Sequence, residues 1–271
     1  MAFLTPFSFR SNIATGGGAN PVTSGLVFDL DARYKTYNDG GSTLATNGQT
    51  LQEWTTNAGG TYTFAQTTAV DKPEWYSSGA AFNNKPYVSF SGAADSLTTY
   101  MLAPYSVDFE LQDQTIFLVA RNTDSISNGS FDHFFMFGAG VDEGYKMYLD
   151  GSTGSGVEYT AGDWNTDFVN GTQTSEQSYI YQMRFEQSTA LNLRLDNLTQ
   201  ATDTPAASIS YTVTGPPFPV YGFVIGAGYS SGSISRELSC EITRLIIYNR
   251  YLDDTERDDV MNYLNDLYAT H

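Results

Sequence analysis

Three things are scarce in this chain of 271 residues: cysteine, basic side chains and long apolar runs. The only cysteine, Cys240, excludes an intrachain disulfide framework and a thiolate metal cluster. There are 13 Lys and Arg against 30 Asp and Glu, and the resulting net charge of −17 argues against nucleic acid and anionic membranes as partners. The longest apolar runs, 116–120 and 245–248, are too short to span a bilayer.

The composition favours a folded domain that works outside a cell. Hydrophobic residues make up 41% of the chain and supply a core, while charged residues reach only 16%, so Ser, Thr, Asn, Gln and Gly carry most of the polarity. The N-terminus lacks a basic start followed by an apolar stretch, so no secretory signal peptide is expected. Virus particles account for both the exterior-type composition and the missing signal peptide, because their surface proteins are made in a host cytoplasm and used outside it.

The first twenty residues are expected to form an arm ahead of one domain that spans 21–271. Glycines 16–18 form a hinge that does not hold regular structure cheaply. Four apolar side chains precede this hinge: Phe3, Leu4, Phe7 and Phe9. The arm packs either on its own domain or on neighbouring subunits. The second alternative predicts a homo-oligomer and contacts with other virion proteins.

The pattern from Leu26 onward predicts an all-β fold, an antiparallel jelly-roll β-sandwich. Residues 191–195 alternate strictly between apolar and polar, as strands with one wet face do. The runs 115–120 and 134–137 are continuously apolar, which predicts central strands covered on both sides. Clusters of Gly, Asn, Asp and Ser between these segments indicate turns, and no internal repeat is present.

One amphipathic helix is predicted at the C-terminal end. Asp253 and Glu256 have the spacing of a capping box. The residues that follow place one apolar stripe on a helical face, comprising Val260, Met261, Leu264, Leu267 and Tyr268. This stripe is expected to cover the adjacent sheet.

Several segments carry a family resemblance. They are Gly222-Phe-Val-Ile-Gly226, Cys240-Glu-Ile-Thr-Arg-Leu-Ile-Ile-Tyr-Asn-Arg250, Tyr251-Leu-Asp-Asp-Thr-Glu-Arg257, Lys85-Pro-Tyr-Val-Ser-Phe-Ser-Gly-Ala-Ala-Asp95, Thr115-Ile-Phe-Leu-Val-Ala-Arg121 and Leu26-Val-Phe-Asp-Leu-Asp-Ala32. Together they resemble the laminin-G-like/pentraxin-like (concanavalin A-like) jelly-roll superfamily, of the kind seen in bacteriophage virion proteins. The resemblance implies the sandwich fold and, because this fold is a general platform, little about function. We expect a non-enzymatic capsid decoration or head or tail fibre protein with a lectin-like domain on the particle surface, because the composition suits the outside of a cell, no export signal is seen and an arm precedes the domain.

The segment 162–168 is the predicted contact for a cell-surface glycan. Trp164 offers a ring for stacking, and Tyr145 is a further candidate aromatic neighbour. Asp163, Asn165 and Asp167 would bond sugar hydroxyls directly or through calcium. The predicted calcium ligands are Asp142, Glu143, Asp163 and Asp167. The net charge of −17 predicts a neutral or calcium-bridged glycan.

Enzymatic readings are weaker. The segment 228–232 matches the G-x-S-x-G nucleophile pattern, but it lacks a following helix and is better explained as a hairpin loop. His133 is the only internal histidine and is expected to be a strand residue. Asp29 and Asp31 share a face of the first strand, where acids are expected to be structural. The remaining alternative is a bacterial polysaccharide-binding or glycoside-hydrolase module, although no E-x-D-x-E strand is present.

Overall fold

Strands dominate the chain, for which the computed structural model describes residues 20–92, 98–123, 131–138, 144–150, 156–161, 168–174, 176–196, 198–203, 222–230 and 233–269. The strands are β1 (Leu26–Asp31), β2 (Thr36–Tyr37), β3 (Gln49–Thr50), β4 (Glu53–Thr55), β5 (Ala58–Gly59), β6 (Thr63–Ala65), β7 (Glu74–Gly79), β8 (Lys85–Phe90), β9 (Met101–Ala103), β10 (Gln114–Asn122), β11 (Phe131–Phe137), β12 (Tyr145–Asp150), β13 (Gly156–Ala161), β14 (Phe168–Thr172), β15 (Ser178–Glu186), β16 (Ala190–Leu195), β17 (Leu198–Asp203), β18 (Phe223–Ile225), β19 (Gly228–Ser230), β20 (Ser233–Ser235) and β21 (Cys240–Tyr248). Helix α1 spans Asp254–Tyr268, and 3-10 turns occur at Ala69–Asp71, Ala80–Phe82 and Val107–Phe109.

Two large antiparallel sheets pack face to face. Sheet A has the order β17-β16-β15-β10-β21-β8-β7-β3, with β1 paired to β21 and β5 paired to β1. Sheet B has the order β14-β13-β12-β11-β18-β9-β6-β4-β2, and β19 pairs with β20 as a separate hairpin. The predicted all-β sandwich is confirmed, and so is the hairpin that was expected in place of a nucleophile elbow.

The continuous apolar run in β10 is buried on both faces, as predicted. Ile116 and Leu118 face the core between the sheets. Phe117 and Val119 face the other way, into a second apolar cluster beneath α1. A strand buried on both faces has no wet side, so polar residues do not alternate with apolar ones.

Helix α1 covers the outer face of sheet A. Asp253 accepts a hydrogen bond from the Glu256 backbone N–H at 2.9 Å, and the Glu256 carboxylate accepts one from the Asp253 N–H, so the capping box is formed. Val260, Met261 and Leu264 are buried against the sheet. The predicted helix and the predicted role of its stripe are both confirmed.

The two acids of β1 are structural, as expected. Asp29 pairs with Arg244 of β21, and both side chains are buried. Asp31 accepts hydrogen bonds from Arg33 and lies 3.6 Å from Arg244. Trp54 is buried in the core, and Trp75 donates its Nε1 hydrogen to the Ala32 carbonyl at 2.7 Å, so both tryptophans serve packing.

The arm and the division into domains remain predictions. Residues 1–19, with Phe3, Leu4, Phe7 and Phe9, lie outside the described residues. Within the described ranges, no helix is long and apolar enough to span a membrane. Cys240 is a buried free thiol.

Candidate ligand-binding pocket

A pocket lies on the outer face of sheet B, where β11 and β12 present their side chains away from the core. The alternation of β12 sets this face. Tyr145, Met147 and Leu149 point into the core between the sheets, while Lys146 and Tyr148 point outward and line the pocket.

A bulge in β11 places His133 on the same face. His133 pairs with Tyr148, whereas Phe135 pairs with Met147, so Phe134 is the extra residue of the bulge. Phe134 and Phe135 are therefore both buried in the core, and His133 and Met136 both point outward. Without this extra residue, strict alternation would give His133 and Met136 opposite faces.

The β19–β20 hairpin closes the pocket from above. Tyr229 of β19 packs with Met136 beneath it. Gly228 permits the close approach, because a Cβ at this position would lie 2.8 Å from Cγ of His133. The resulting cavity has a volume of about 170 Å³. Its lining, among the described residues, consists of Phe131, His133, Met136, Lys146, Tyr148, Tyr229 and Arg236.

Arg236 reaches the pocket from a strained backbone conformation. Its φ of 59° lies in the left-handed region, which an arginine adopts at a cost. The backbone N–H of His133 donates to the Arg236 carbonyl at 2.9 Å and holds this conformation. The guanidinium lies over the ring of Phe131, 5.3 Å from its centroid, which is within the range of a cation–π contact.

Two titratable groups beside the cavity are shifted toward their neutral forms. Burial, with the charges of Lys146 and Arg236, holds the pKa of His133 well below its usual value. Burial raises the pKa of Glu158 on β13 to about 7, although Thr160 and Lys146 oppose the shift. Glu158 accepts hydrogen bonds from the hydroxyls of Tyr148 and Thr160, so its carboxyl lies behind the tyrosine.

Most residues predicted for the binding loop lie outside the described part of the chain. Asp142, Glu143, Asp163, Trp164, Asn165 and Asp167 belong to this group, so the glycan loop and the calcium site remain predictions. Within the described residues, no three His, Cys, Asp or Glu side chains come together to hold a metal ion.

Tyr145 requires a correction. Its ring is fully buried and packs 5.6 Å from Phe137 and 6.0 Å from Phe223, centroid to centroid. In this structure the ring therefore has no face open to a sugar. The cause is the alternation of β12, which turns Tyr145 inward and Lys146 outward.

The residues that line the pocket were not predicted to form a binding site. His133 was correctly expected to be a strand residue, but its place at a cavity was not. Two signals were present in the sequence: a lysine inside the apolar stretch Tyr-Lys-Met-Tyr-Leu of β12, and a glycine-rich hairpin without a catalytic partner. Neither signal identifies which strands the hairpin covers.

Comparison with known proteins supports the fold. No family model and no curated protein matches the chain. Among solved structures, the binding domain of Paraclostridial Mosquitocidal Protein 1 has a TM-score of 0.58 at 10% identity and covers 89% of this chain and 52% of its own. The binding domain of botulinum neurotoxin DC in complex with SialylT has a TM-score of 0.54 at 9% identity, with 89% and 52% covered.

A third structure, of botulinum neurotoxin type C, carries a title that describes cell entry dependent on two ganglioside molecules. Its TM-score is 0.54 at 9% identity, with 89% of this chain and 52% of that chain covered. This chain thus spans about half the length of these toxin domains. At such identities the likeness shows a shared β-sandwich, and the narrower assignment to the laminin-G-like superfamily of phage proteins remains a prediction.

Proposed function

We propose that this chain is a non-enzymatic, lectin-like module that binds a glycan, with one sugar unit seated in the pocket between β11, β12 and the β19–β20 hairpin. The observation that carries the proposal is the lining of the cavity. Phe131, Tyr148 and Tyr229 supply aromatic surface, and Lys146 and Arg236 supply hydrogen-bond donors. Sugars are bound by this combination, because their C–H faces pack on aromatic rings while their hydroxyls need polar partners.

The size and rigidity of the cavity support the same function. A volume of about 170 Å³ suits a single sugar unit rather than a chain. Apart from Arg236, the described lining residues lie on strands, so most of the site is preformed and loses little entropy on binding. The solved structures of similar fold are binding domains, two of them with titles that mention SialylT or gangliosides, and this agrees with a glycan ligand.

A glycan array followed by calorimetry tests the proposal. Wild-type protein should bind at least one glycan, and Tyr229→Ala should reduce its affinity at least tenfold. Tyr34→Ala is the matched control, because Tyr34 is a 40% exposed tyrosine that follows β1 of sheet A. Absence of binding to every glycan contradicts the proposal. Release of sugar products from an array glycan would favour the glycoside-hydrolase alternative instead.

The segment 162–168 is proposed as a second contact for the same glycan. Trp164→Ala should weaken binding if the ring stacks on a sugar, and removal of calcium should weaken it if Asp163 and Asp167 act through the ion. An unchanged affinity in both experiments would leave the pocket as the binding site.

A place on a virion surface is proposed on sequence grounds alone, since the similar structures described above are toxin domains. The supporting features are the sparse lysine content and the apolar arm before glycines 16–18. Deletion of residues 1–18 should leave a folded protein that no longer assembles with itself or with other virion proteins. Normal incorporation of the truncated chain into particles would contradict the arm's role in capsid decoration or in a fibre.

A further inference from the structure

We infer that the sugar unit bound in this pocket is anionic and carries a carboxylate, an inference that rests on the proposed function. The observation is local charge. Among the described residues that line the cavity, Lys146 and Arg236 are basic and none is acidic. The whole chain has only 13 Lys and Arg and a net charge of −17. Two cations at one cavity therefore create a local positive charge on a molecule that is negative overall.

Both cations occupy energetically costly positions, and this cost indicates a role in binding. Lys146 is 3% exposed, although lysine is among the side chains that are most costly to bury. Arg236 occupies a left-handed backbone conformation that glycine or asparagine would adopt more easily. Backbone strain of this kind persists where the surrounding structure enforces it, and it clusters at binding sites.

Two described titratable groups beside the cavity, His133 and Glu158, add little opposing charge. His133 is kept neutral by its burial and by the two cations. Glu158 stands behind the hydroxyl of Tyr148, and its carboxyl is partly protonated near neutral pH because burial raises its pKa to about 7. A positive potential inside a partly enclosed cavity is screened less than one on an open surface, so it attracts an anion despite the negative chain.

A carboxylated sugar fits all parts of this lining. Its ring faces match Phe131, Tyr148 and Tyr229, and its carboxylate matches the planar donor fork of Arg236 together with the ammonium of Lys146. The expectation of a neutral or calcium-bridged glycan, drawn from net charge, averages over the whole chain. The field at one cavity depends on the few charges nearest to it.

Calorimetry with matched pairs of sugars tests the inference. The pairs are methyl glucuronide with methyl glucoside, and sialyllactose with lactose, so that each pair contrasts an acidic sugar with a neutral counterpart. In at least one pair the acidic member should bind at least tenfold more tightly, and its affinity alone should fall as sodium chloride is raised. Equal affinities within both pairs would overturn the inference while leaving the proposed function intact. Failure of every sugar to bind, on the array and here, would overturn both.

Two substitutions assign the charge to the residues. Lys146→Met and Arg236→Gln should each reduce the affinity for the acidic sugar at least tenfold and reduce the affinity for the neutral one by a smaller factor, because the neutral sugar loses hydrogen bonds but no ion pair. Lys85→Met, on β8 of sheet A, removes the same charge at a distance from the pocket and should have no such effect. Because Lys146 is buried, Arg236→Gln on the partly exposed segment after β20 keeps the test valid if Lys146→Met unfolds. An equal loss with Lys85→Met would also overturn the inference.

Discussion

Gly228 lies against the imidazole of His133, so closely that a Cβ on the glycine would be 2.8 Å from both Cγ and Nδ1 of the ring. The contact joins the β19–β20 hairpin to β11 and sets the distance between the hairpin and sheet B across the pocket. Real Cβ atoms do not approach heavy atoms so closely, and the histidine is itself packed within sheet B. A side chain at position 228 therefore requires the hairpin to move.

Gly228→Ala should lift the hairpin from β11 and widen the pocket. We expect a loss of about 1–3 kcal/mol in the free energy of unfolding, as in other overpacked sites, and at least a tenfold loss of glycan affinity. Gly40→Ala is the control, because its Cβ would meet only side-chain atoms at 3.9 Å. Denaturant titration and calorimetry measure the two effects. Unchanged binding in Gly228→Ala would mean that the hairpin does not shape the site.

Arg236→Gly should separate stability from binding. Glycine accepts the φ of 59° without strain, which offsets its greater chain entropy, so we expect the free energy of unfolding to stay within about 1 kcal/mol of the wild-type value. The affinity for an acidic sugar should fall at least tenfold, because the guanidinium is gone. Ser188→Gly, at an exposed turn with φ of 56°, makes the same backbone change and should retain full affinity. Full affinity in Arg236→Gly would show that the Arg236 side chain has no role in binding.

The long elements were predictable because their signals are local. The apolar run of β10 reflects two buried faces, and the helix is defined by its capping box and one stripe, so neighbouring residues in the sequence contain the information. Asp29 was correctly interpreted as structural from its place on the first strand. Its partner, Arg244, is 215 positions away, and no local pattern identifies such a pair.

The pocket was not predictable either, because it is formed by contacts between residues far apart in the sequence. The run Phe-Phe-Met-Phe in β11 gives the same sequence signal whether the strand alternates or bulges, yet only the bulge turns both His133 and Met136 outward. The roof comes from a hairpin far along the chain, and its contact with His133 depends on tertiary packing. The sequence predicted a binding loop at 162–168 because a tryptophan among polar residues is a local signal.

Glu158→Gln should remove a pH dependence of binding. The pKa of Glu158 is raised from 4.5 to about 7, so its carboxyl gains charge between pH 6 and 8, where it opposes the field of Lys146. Wild-type affinity for an acidic sugar should therefore fall as the pH rises through 7. His133 contributes little in this range, because its pKa lies well below 6.5 and the imidazole stays neutral. The variant should bind with nearly constant affinity from pH 6 to 8.

The same residue gives a stability test with a defined sign. A carboxyl whose pKa is higher in the folded state than in the unfolded state binds its proton more tightly when folded. Its contribution to stability is present below pH 4.5 and is lost as the pH rises through about 7. The pH dependence of the unfolding free energy should flatten in Glu158→Gln over this range. Glu53→Gln, on β4 of the same sheet, is the control, and an equal flattening there would exclude Glu158 as the cause.

Breaking the buried ion pair between Asp29 and Arg244 should cost far more stability than breaking an exposed pair of similar length. Nε of Arg244 lies 2.9 Å from Oδ1 of Asp29 and Nη2 lies 2.6 Å from Oδ2, and Nη1 donates to the Tyr263 hydroxyl at 2.7 Å. Asp29→Ala removes both Asp29 hydrogen bonds from the buried guanidinium and leaves it only the Asp31 carboxylate, 3.6 Å away, so we expect a loss of about 3–5 kcal/mol in the free energy of unfolding. The double substitution Asp29→Leu with Arg244→Met removes both charges and should cost less than the single one.

Glu176→Ala provides the exposed comparison for this experiment. Its carboxylate lies 2.6 Å from Nη2 of Arg121, but the Glu176 side chain is 59% exposed, so water replaces the lost partner. We expect a change below about 1 kcal/mol, because exposed pairs gain little in high dielectric. Urea titrations of the four proteins, compared at equal m-values, give the differences. Similar losses in the free energy of unfolding for Asp29→Ala and Glu176→Ala would mean that water reaches Arg244 beneath the helix. The ion pair would then not stabilise the contact between β1 and β21.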